Sequence, residues 1–229
     1  VKQGSSRHTM DVLSVLLVQV PANAHACICR DYPRNRSGRR QRGCESMLYN
    51  ANTGAVALGC GQFAASLSVR IWSAACSTGQ EVYSIAIILR ETLGNLSNYQ
   101  ISILGTDISD DAVTKASYGK YNKFEAERGM PPQVLQKYFS AHGDGWKVKD
   151  EIRSMAVFRK FNLMKPFAGM GRFDVVFCRN VAIYLTATDK KAVFEKIAGV
   201  METDGSLIIG STESLNGVTS MFEPKRYLR

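Results

Sequence analysis

From residue 69 onward the chain alternates between short apolar runs and longer stretches with an apolar residue every three or four positions. Val69–Ala75 predicts a strand buried on both faces, and Glu81–Leu93 a helix with apolar residues at 82, 85, 86, 89 and 93. Gly94-Asn95 stops that helix. Ile101–Leu104 is the next strand, ending at Thr106-Asp107, and Ser109-Asp110-Asp111 offers an N-cap to a helix carrying Val113 and Ala116. Phe173–Cys178 is a third apolar strand. Thr188-Asp189 caps a helix through Met201, and Asp204-Gly205 turns into a strand over Ser206–Gly210. Strands and helices alternating in this way imply an α/β protein with a parallel sheet covered on both faces.

Between Gly119 and Phe161 the rhythm breaks. Pro131-Pro132 starts a short helix through Phe139, and His142-Gly143-Asp144-Gly145 is a turn. Trp146–Val148 and Met155–Phe161 predict short strands on either side of a charged link. Residues 121–160 are therefore expected to form a small antiparallel insertion.

The first seventy residues differ in kind. The whole chain of 229 residues carries a net charge of +9, but residues 1–70 hold nine basic and three acidic residues, a net of +6. Residues 71–229 carry only +3, an ordinary value for a folded domain. The run Arg34-Asn-Arg36-Ser-Gly-Arg39-Arg40-Gln-Arg42 could neutralise phosphates, yet no aromatic side chain interleaves it to stack on a base. A solvated loop is the expectation, and nucleic acid is not an expected partner. The apolar run Val12–Val20 after Lys2 and Arg7 loosely imitates a secretory signal, but it is short and Asp11 abuts it. A buried strand or helix turn is expected there, and no run is long enough to cross a membrane as a helix. Cys27, Cys29, Cys44 and Cys60 lack the two-residue ligand spacing of zinc knuckles, so no metal site is expected. Leu58-Gly59-Cys60-Gly61 imitates a nucleotide-binding glycine turn, but no helix of normal length fits between it and the next strand.

In an open parallel sheet, ligands bind beyond the carboxyl ends of the strands, where the chain order reverses. The ends available are Ser73–Gly79, Asp107, Asn162 and Arg179-Asn180. The first is a loop of small residues with Ser73, Ala75, Ser77 and Gly79 at alternate positions, which lets backbone approach a ligand closely. Only one glycine of the dinucleotide fingerprint is present, so a nicotinamide oxidoreductase is disfavoured. Asp107 is suited to accepting both hydroxyls of a ribose, with helix capping left to Asp110. Glu81 could complement its helix dipole or accept hydrogen bonds from a cationic amine. Two acidic residues facing a ligand fit a positively charged nucleoside better than a phosphorylated one.

The segment Arg70-Ile-Trp-Ser-Ala-Ala-Cys-Ser-Thr-Gly-Gln-Glu-Val-Tyr-Ser-Ile-Ala86 closely resembles the first motif of the CheR family, the chemotaxis receptor glutamate methyltransferases. The likeness continues in order through Gly105–Ser109, Tyr138-Phe139, Phe161-Asn-Leu163, Phe173–Tyr184 and Gly210–Ser214, covering roughly residues 69–229. It implies a Rossmann-like S-adenosylmethionine-dependent methyltransferase sheet, with S-adenosyl-L-homocysteine as the product of the cofactor. By the same resemblance, Ser73, Ala75 and Gly79 belong to the cofactor loop, and Glu81 contacts the methionine or ribose part. Asp107 takes the ribose, Asn162 and Leu163 the adenine, and Arg179 with Asn180 the pocket beside the sulfonium. Tyr184 and Arg179 are the implied catalytic residues, Tyr184 lying near the transferred methyl. A tyrosine simply packed at a strand end is the alternative for Tyr184. Cys76 and Cys178 are expected only to pack. The implied product is a glutamate γ-methyl ester on the cytoplasmic helices of a chemoreceptor, formed in the cytoplasm. The turn at His142–Gly145 is short for docking a receptor tail peptide, so the methylation region itself is the expected target.

The sequence also departs from the family pattern. Val82 stands where Pro is usual, a change of little expected consequence in a first helix turn. Residues 1–68 match neither the family's leading helical domain nor its Thr-x-Phe-Phe-Arg-Asp-like segment, and Cys29-Arg30-Asp31 is too little to replace it. The expectation is an atypical N-terminal region, poorly ordered or derived from a shifted reading frame or a foreign fusion. The chain reaches Tyr227-Leu228-Arg229 about where a last edge strand of the family sheet begins. A truncated, catalytically weak or inactive CheR-like module that binds cofactor or receptor is thus the competing expectation.

Overall fold

The computed structural model describes residues 25–31, 42–50, 55–59, 67–93, 96 and 99–223. The apolar run at 12–20, most of the arginine run, residues 60–61 of the imitation glycine turn and residues 227–229 lie outside them. Ahead of the main sheet, β1 (His25–Asp31), β2 (Arg42–Asn50) and β3 (Ala55–Gly59) pair antiparallel in that order. Their register sets Cys29 opposite Cys44.

The main sheet begins with β4 (Leu67–Ala74), which leads through a tight loop into α1 (Gln80–Leu93). β5 (Tyr99–Asp107) and α2 (Asp110–Tyr118) follow. Next come β6 (Lys120–Asn122), α3 (Lys123–Glu127), α4 (Pro132–Tyr138), β7 (Phe139–His142) and β8 (Gly145–Val148). After α5 (Asp150–Arg153), β9 (Ala156–Lys160) and β10 (Phe173–Cys178) return to the main sheet. A short 3-10 helix (Ala182–Tyr184), α6 (Ala187–Gly199) and β11 (Met201–Ile209) complete it. The strand order is β11-β10-β4-β5-β9, and every pairing is parallel.

Alternation along each strand divides the core in two. Ile71 and Phe177 face α1 and its buried Val82, Tyr83, Ile85 and Ala86. Trp72, Val176 and Cys178, one residue out of phase, face α6 and its Val193, Phe194 and Ile197. Trp72 is fully buried, stacks edge-on against Phe167 at 5.3 Å, and donates its indole N–H to Thr106 Oγ1 at 2.9 Å. Burying each such side chain contributes about 1.5–3 kcal/mol, and this packing fixes β4 against β5 and β10.

The small antiparallel sheet has the order β6-β8-β7. It is tied to the loop after β4 by Tyr121, whose hydroxyl donates to the Thr78 carbonyl at 2.8 Å. Met155–Phe161, expected in this insertion, instead supplies the edge strand β9, paired parallel with β5. The reason is packing: Phe158 lies under Gly105 and Gly79 and stacks on Tyr83 at 5.5 Å, so the segment belongs to the main core. The insertion's strands therefore end at Val148. The cap of α6 lies two residues before the expected one: Thr186 Oγ1 accepts the Asp189 N–H at 3.2 Å. β11 runs through Asp204-Gly205, with a register shift between Phe173 and Val175 absorbing the expected turn.

Candidate functional site

Parallel pairing brings the ends of all five strands to one edge of the sheet. The chain steps outward from β4 to β5 and β9, then returns to β10 and β11 on the other side of β4. The order thus reverses beside β4, and a crevice at its carboxyl end is where such sheets hold ligands.

The loop after β4 turns sharply enough to put three residues at positive φ: Ala75 (58°), Ser77 (51°) and Gly79 (88°). A side chain at 79 would place its Cβ 2.8 Å from Ala116 Cβ, so glycine lets the loop rest directly on α2. The Cys76 N–H donates to the Thr106 carbonyl at 2.8 Å, and the Ser77 N–H to Asp107 Oδ2 at 2.8 Å. Asp107 Oδ1 accepts the Ser109 N–H at 3.0 Å. The helix cap falls to Ser109, whose Oγ accepts the Ala112 N–H, rather than to Asp110, which pairs with Lys160 of β9. Asp107 therefore braces the loop and the helix entry together, with lone pairs left over on both oxygens.

Behind the loop lies a buried ion pair. Ser73 Oγ donates to Glu81 Oε1 at 2.7 Å, and Arg179 Nη1 donates to Glu81 Oε2 at 3.2 Å. The Glu81 and Arg179 side chains are only 11% and 5% exposed. Burial raises the Glu81 carboxyl above its ordinary value, opposed by the Ser73 hydrogen bond and by Arg179. Glu81 sits in the first turn of α1. What sequence does not give is its partner, 98 residues away.

On the β9 side, the Phe161 N–H donates to the Asp107 carbonyl at 2.8 Å, which holds Asn162 and Leu163 beside the β5 end. Asn162 Oδ1 accepts the Met164 N–H at 2.8 Å, and the Leu163 carbonyl accepts Lys196 Nζ at 2.5 Å. On the β10 side, Asn180 adopts φ 57° and the chain enters the 3-10 helix that ends at Tyr184. Tyr184 is 72% exposed, and its hydroxyl has no hydrogen-bond partner among the described residues. It is not a tyrosine packed at a strand end. Glu213, within the Gly210–Ser214 segment, has no role legible in the sequence, yet its carboxylate accepts the N–H groups of Asn180, Val181, Ala182 and Gly210. No local signal in the sequence marks that duty.

Cys76 and Cys178 are buried and free, with thiols pushed up to about 12 chiefly by burial, which makes both poor nucleophiles. A cavity of about 350 Å³ between Tyr83, Ser117, Arg153 and Phe158 opens on the flank of α1 and β9, and none of the strand-end polar residues lines it. No helix among the described residues is long and apolar enough to cross a membrane.

The crevice brings together the Asp107 carboxylate at the β5 end and the small residues of the loop after β4, with the Glu81 carboxylate in the first turn of α1 behind them. That set leaves Asp107 able to accept the hydroxyls of a nucleoside, while the Glu81 carboxylate is already paired with Arg179. The fold is a Rossmann-like parallel sheet with its candidate ligand crevice at the carboxyl end of β4, and the family model that matches it is that of an S-adenosylmethionine-binding methyltransferase domain. The chain belongs to the CheR family: the model of the CheR methyltransferase SAM-binding domain matches residues 56–227. Chemotaxis protein methyltransferase 1 of Pseudomonas aeruginosa is 42% identical over 160 residues, covering 68% of this chain and 58% of that protein. The chemotaxis protein methyltransferase of Vibrio parahaemolyticus is 40% identical over 161 residues, covering 69% and 58%. The chain thus spans 58% of the length of these curated relatives. The solved structure of PKMT2 from Rickettsia typhi with AdoHcy aligns with 62% of this chain and 20% of that one, at 10% identity and a TM-score of 0.39.

Proposed function

We propose that this chain is the catalytic domain of a chemotaxis methyltransferase that forms γ-methyl esters on glutamate side chains in the cytoplasmic helices of chemoreceptors. The observation that carries the proposal is the buried Ser73–Glu81–Arg179 set beneath the crevice, with the unpartnered Tyr184 hydroxyl standing at its rim.

S-adenosylmethionine, when bound, supplies an electrophilic methyl group on a sulfonium. Ser73, Ala75 and Gly79 would line the cofactor loop, Asp107 would accept from the ribose hydroxyls, and Asn162 with Leu163 would hold the adenine. Arg179 holds the Glu81 carboxylate toward the cationic end, and as a buried neutral pair the two add no net charge beside the sulfonium. Asn180 forms the turn next to that end. A glutamate carboxylate is ionised at pH 7, so it attacks without a general base. The remaining task is alignment of oxygen, carbon and sulfur and exclusion of water. Tyr184 can donate its hydroxyl to the incoming carboxylate or offer its ring face to the sulfonium.

The test is transfer of label from methyl-labelled cofactor to receptor-containing membranes, scored as base-labile ester, beside calorimetric titration with S-adenosylhomocysteine. Saturable binding together with ester formation is expected. Binding without ester would refute turnover and leave a cofactor-binding module.

A further inference from the structure

We propose that Glu213 is a positioning residue for methyl transfer, acting through the backbone of residues 180–182 and touching neither cofactor nor substrate. The role rests on the methyltransferase reading above.

The first N–H groups of a helix have no partner within it and need acceptors from elsewhere. The 3-10 helix that carries Tyr184 begins at Ala182, and its N-cap, Val181, supplies no side-chain cap. Glu213 provides the cap from the far side of β11. Its Oε1 accepts the Val181 N–H at 3.2 Å and the Ala182 N–H at 2.9 Å. Its Oε2 accepts the Asn180 N–H at 2.8 Å and the Gly210 N–H at 2.7 Å. A carboxylate has about four lone-pair sites, so this one is saturated by backbone and has none left for a ligand.

The turn it holds uses an uncommon backbone conformation. Asn180 is a non-glycine residue at φ 57°, a conformation that persists where surrounding bonds fix it. Arg179 lies on one side of that turn, directed into Glu81, and Tyr184 on the other, directed to solvent. Gly210 shows that the space is reserved for the carboxylate: a Cβ there would lie 2.7 Å from Glu213 Oε2 and 3.1 Å from the Asn180 nitrogen. Glu213 thereby sets the direction of both residues implicated in transfer.

Glu213→Gln separates positioning from binding. Glutamine keeps one acceptor oxygen and turns an NH2 group toward two N–H donors. The expected result is a fall in kcat of about tenfold to hundredfold, the effect of misplacing reacting groups by around 1 Å. Affinity for S-adenosylhomocysteine should stay within about twofold, since Glu81 and Asp107 keep their partners. Tyr184→Phe should cost much less in the Glu213→Gln background than in the parent, because both act on the same group. Amide exchange at residues 180–182 and 210 should speed up by about tenfold or more. Glu213→Asp, which retains both oxygens one methylene short, should show a smaller kcat loss and carries the same comparison should the glutamine variant not fold. Unchanged kcat, an equal loss of kcat and of cofactor affinity, or additive effects with Tyr184→Phe would each overturn the proposal. If the parent chain binds S-adenosylhomocysteine but forms no ester, the methyltransferase reading fails; unchanged amide exchange in the variant would then overturn this proposal separately.

Discussion

Replacing Arg179 with Met removes the cation from a pair that is buried on both sides while keeping much of the side-chain volume. Glu81 keeps its Ser73 hydrogen bond at 2.7 Å but loses the guanidinium at 3.2 Å. Breaking one side of a buried ion pair costs about 3–5 kcal/mol, because a charge is left without compensation. Against a typical domain stability of about 5–15 kcal/mol, that is a large share, and it corresponds to a fall in Tm of about 6–20 °C for a domain of this size. The loss should also depend on pH. Burial already raises the Glu81 carboxyl above 4.5, and Arg179 is one of the groups opposing the rise. A carboxyl raised in the folded state contributes its full stability below its unfolded pKa and loses that contribution as pH rises through the folded value. Without Arg179 the folded value climbs further, so the variant's deficit relative to the parent should widen as pH increases from about 4.5. Thermal unfolding followed by circular dichroism at about pH 5 and about pH 8 measures both effects. Adding Glu81→Gln to Arg179→Met should recover much of the stability by removing the orphaned charge. A deficit under about 1 kcal/mol, equal deficits at the two pH values, or a double variant weaker than the single would refute the buried pair as the support of this site.

Gly79→Ala forces a Cβ to 2.8 Å from Ala116 Cβ at φ 88°, so thermal unfolding should show a loss of about 1–3 kcal/mol together with weaker binding of S-adenosylhomocysteine. Asp107→Asn leaves one acceptor oxygen where the Ser77 and Ser109 N–H groups bond two, and calorimetry should show about tenfold or greater weakening of S-adenosylhomocysteine binding. Tyr184→Phe removes the hydroxyl of a residue 72% exposed, so Tm should hold within about 2 °C while kcat for ester formation drops.

The cores of the main strands were legible because both faces are covered, which turns a strand into a continuous apolar run. Ile71-Trp72 and Val175-Val176-Phe177 show this, since successive residues enter opposite cores. The β9 segment is shorter and lacks the same signal. Val157 is 52% exposed beside the buried-side Phe158, so the pattern is that of a half-covered strand in any small sheet. Its partner, β5, is a non-local choice that the local pattern does not encode. The site divides in the same way. Ser73, Glu81 and Asp107 follow from the strand–loop–helix grammar of one stretch of chain. The Glu81–Arg179 pair and the four bonds of Glu213 join residues 31 to 98 positions apart, apart from the Gly210 bond, and come only with the parallel register.

That register also explains why so few side chains remain free for chemistry. Each strand end contributes a polar group, and neighbouring ends neutralise one another: Ser73 and Arg179 on Glu81, the Ser77 and Ser109 amides on Asp107, the 180–182 amides on Glu213. A buried polar group left unpaired costs about 1–3 kcal/mol, so a crevice with this many of them is stable only when they pair among themselves. The consequence is a rigid frame whose groups are oriented in advance, as positioning catalysis needs, and whose exposed aromatic at the rim is Tyr184. Under the proposed function, transfer of a methyl group to an already ionised carboxylate would require only that the acceptor be held in line.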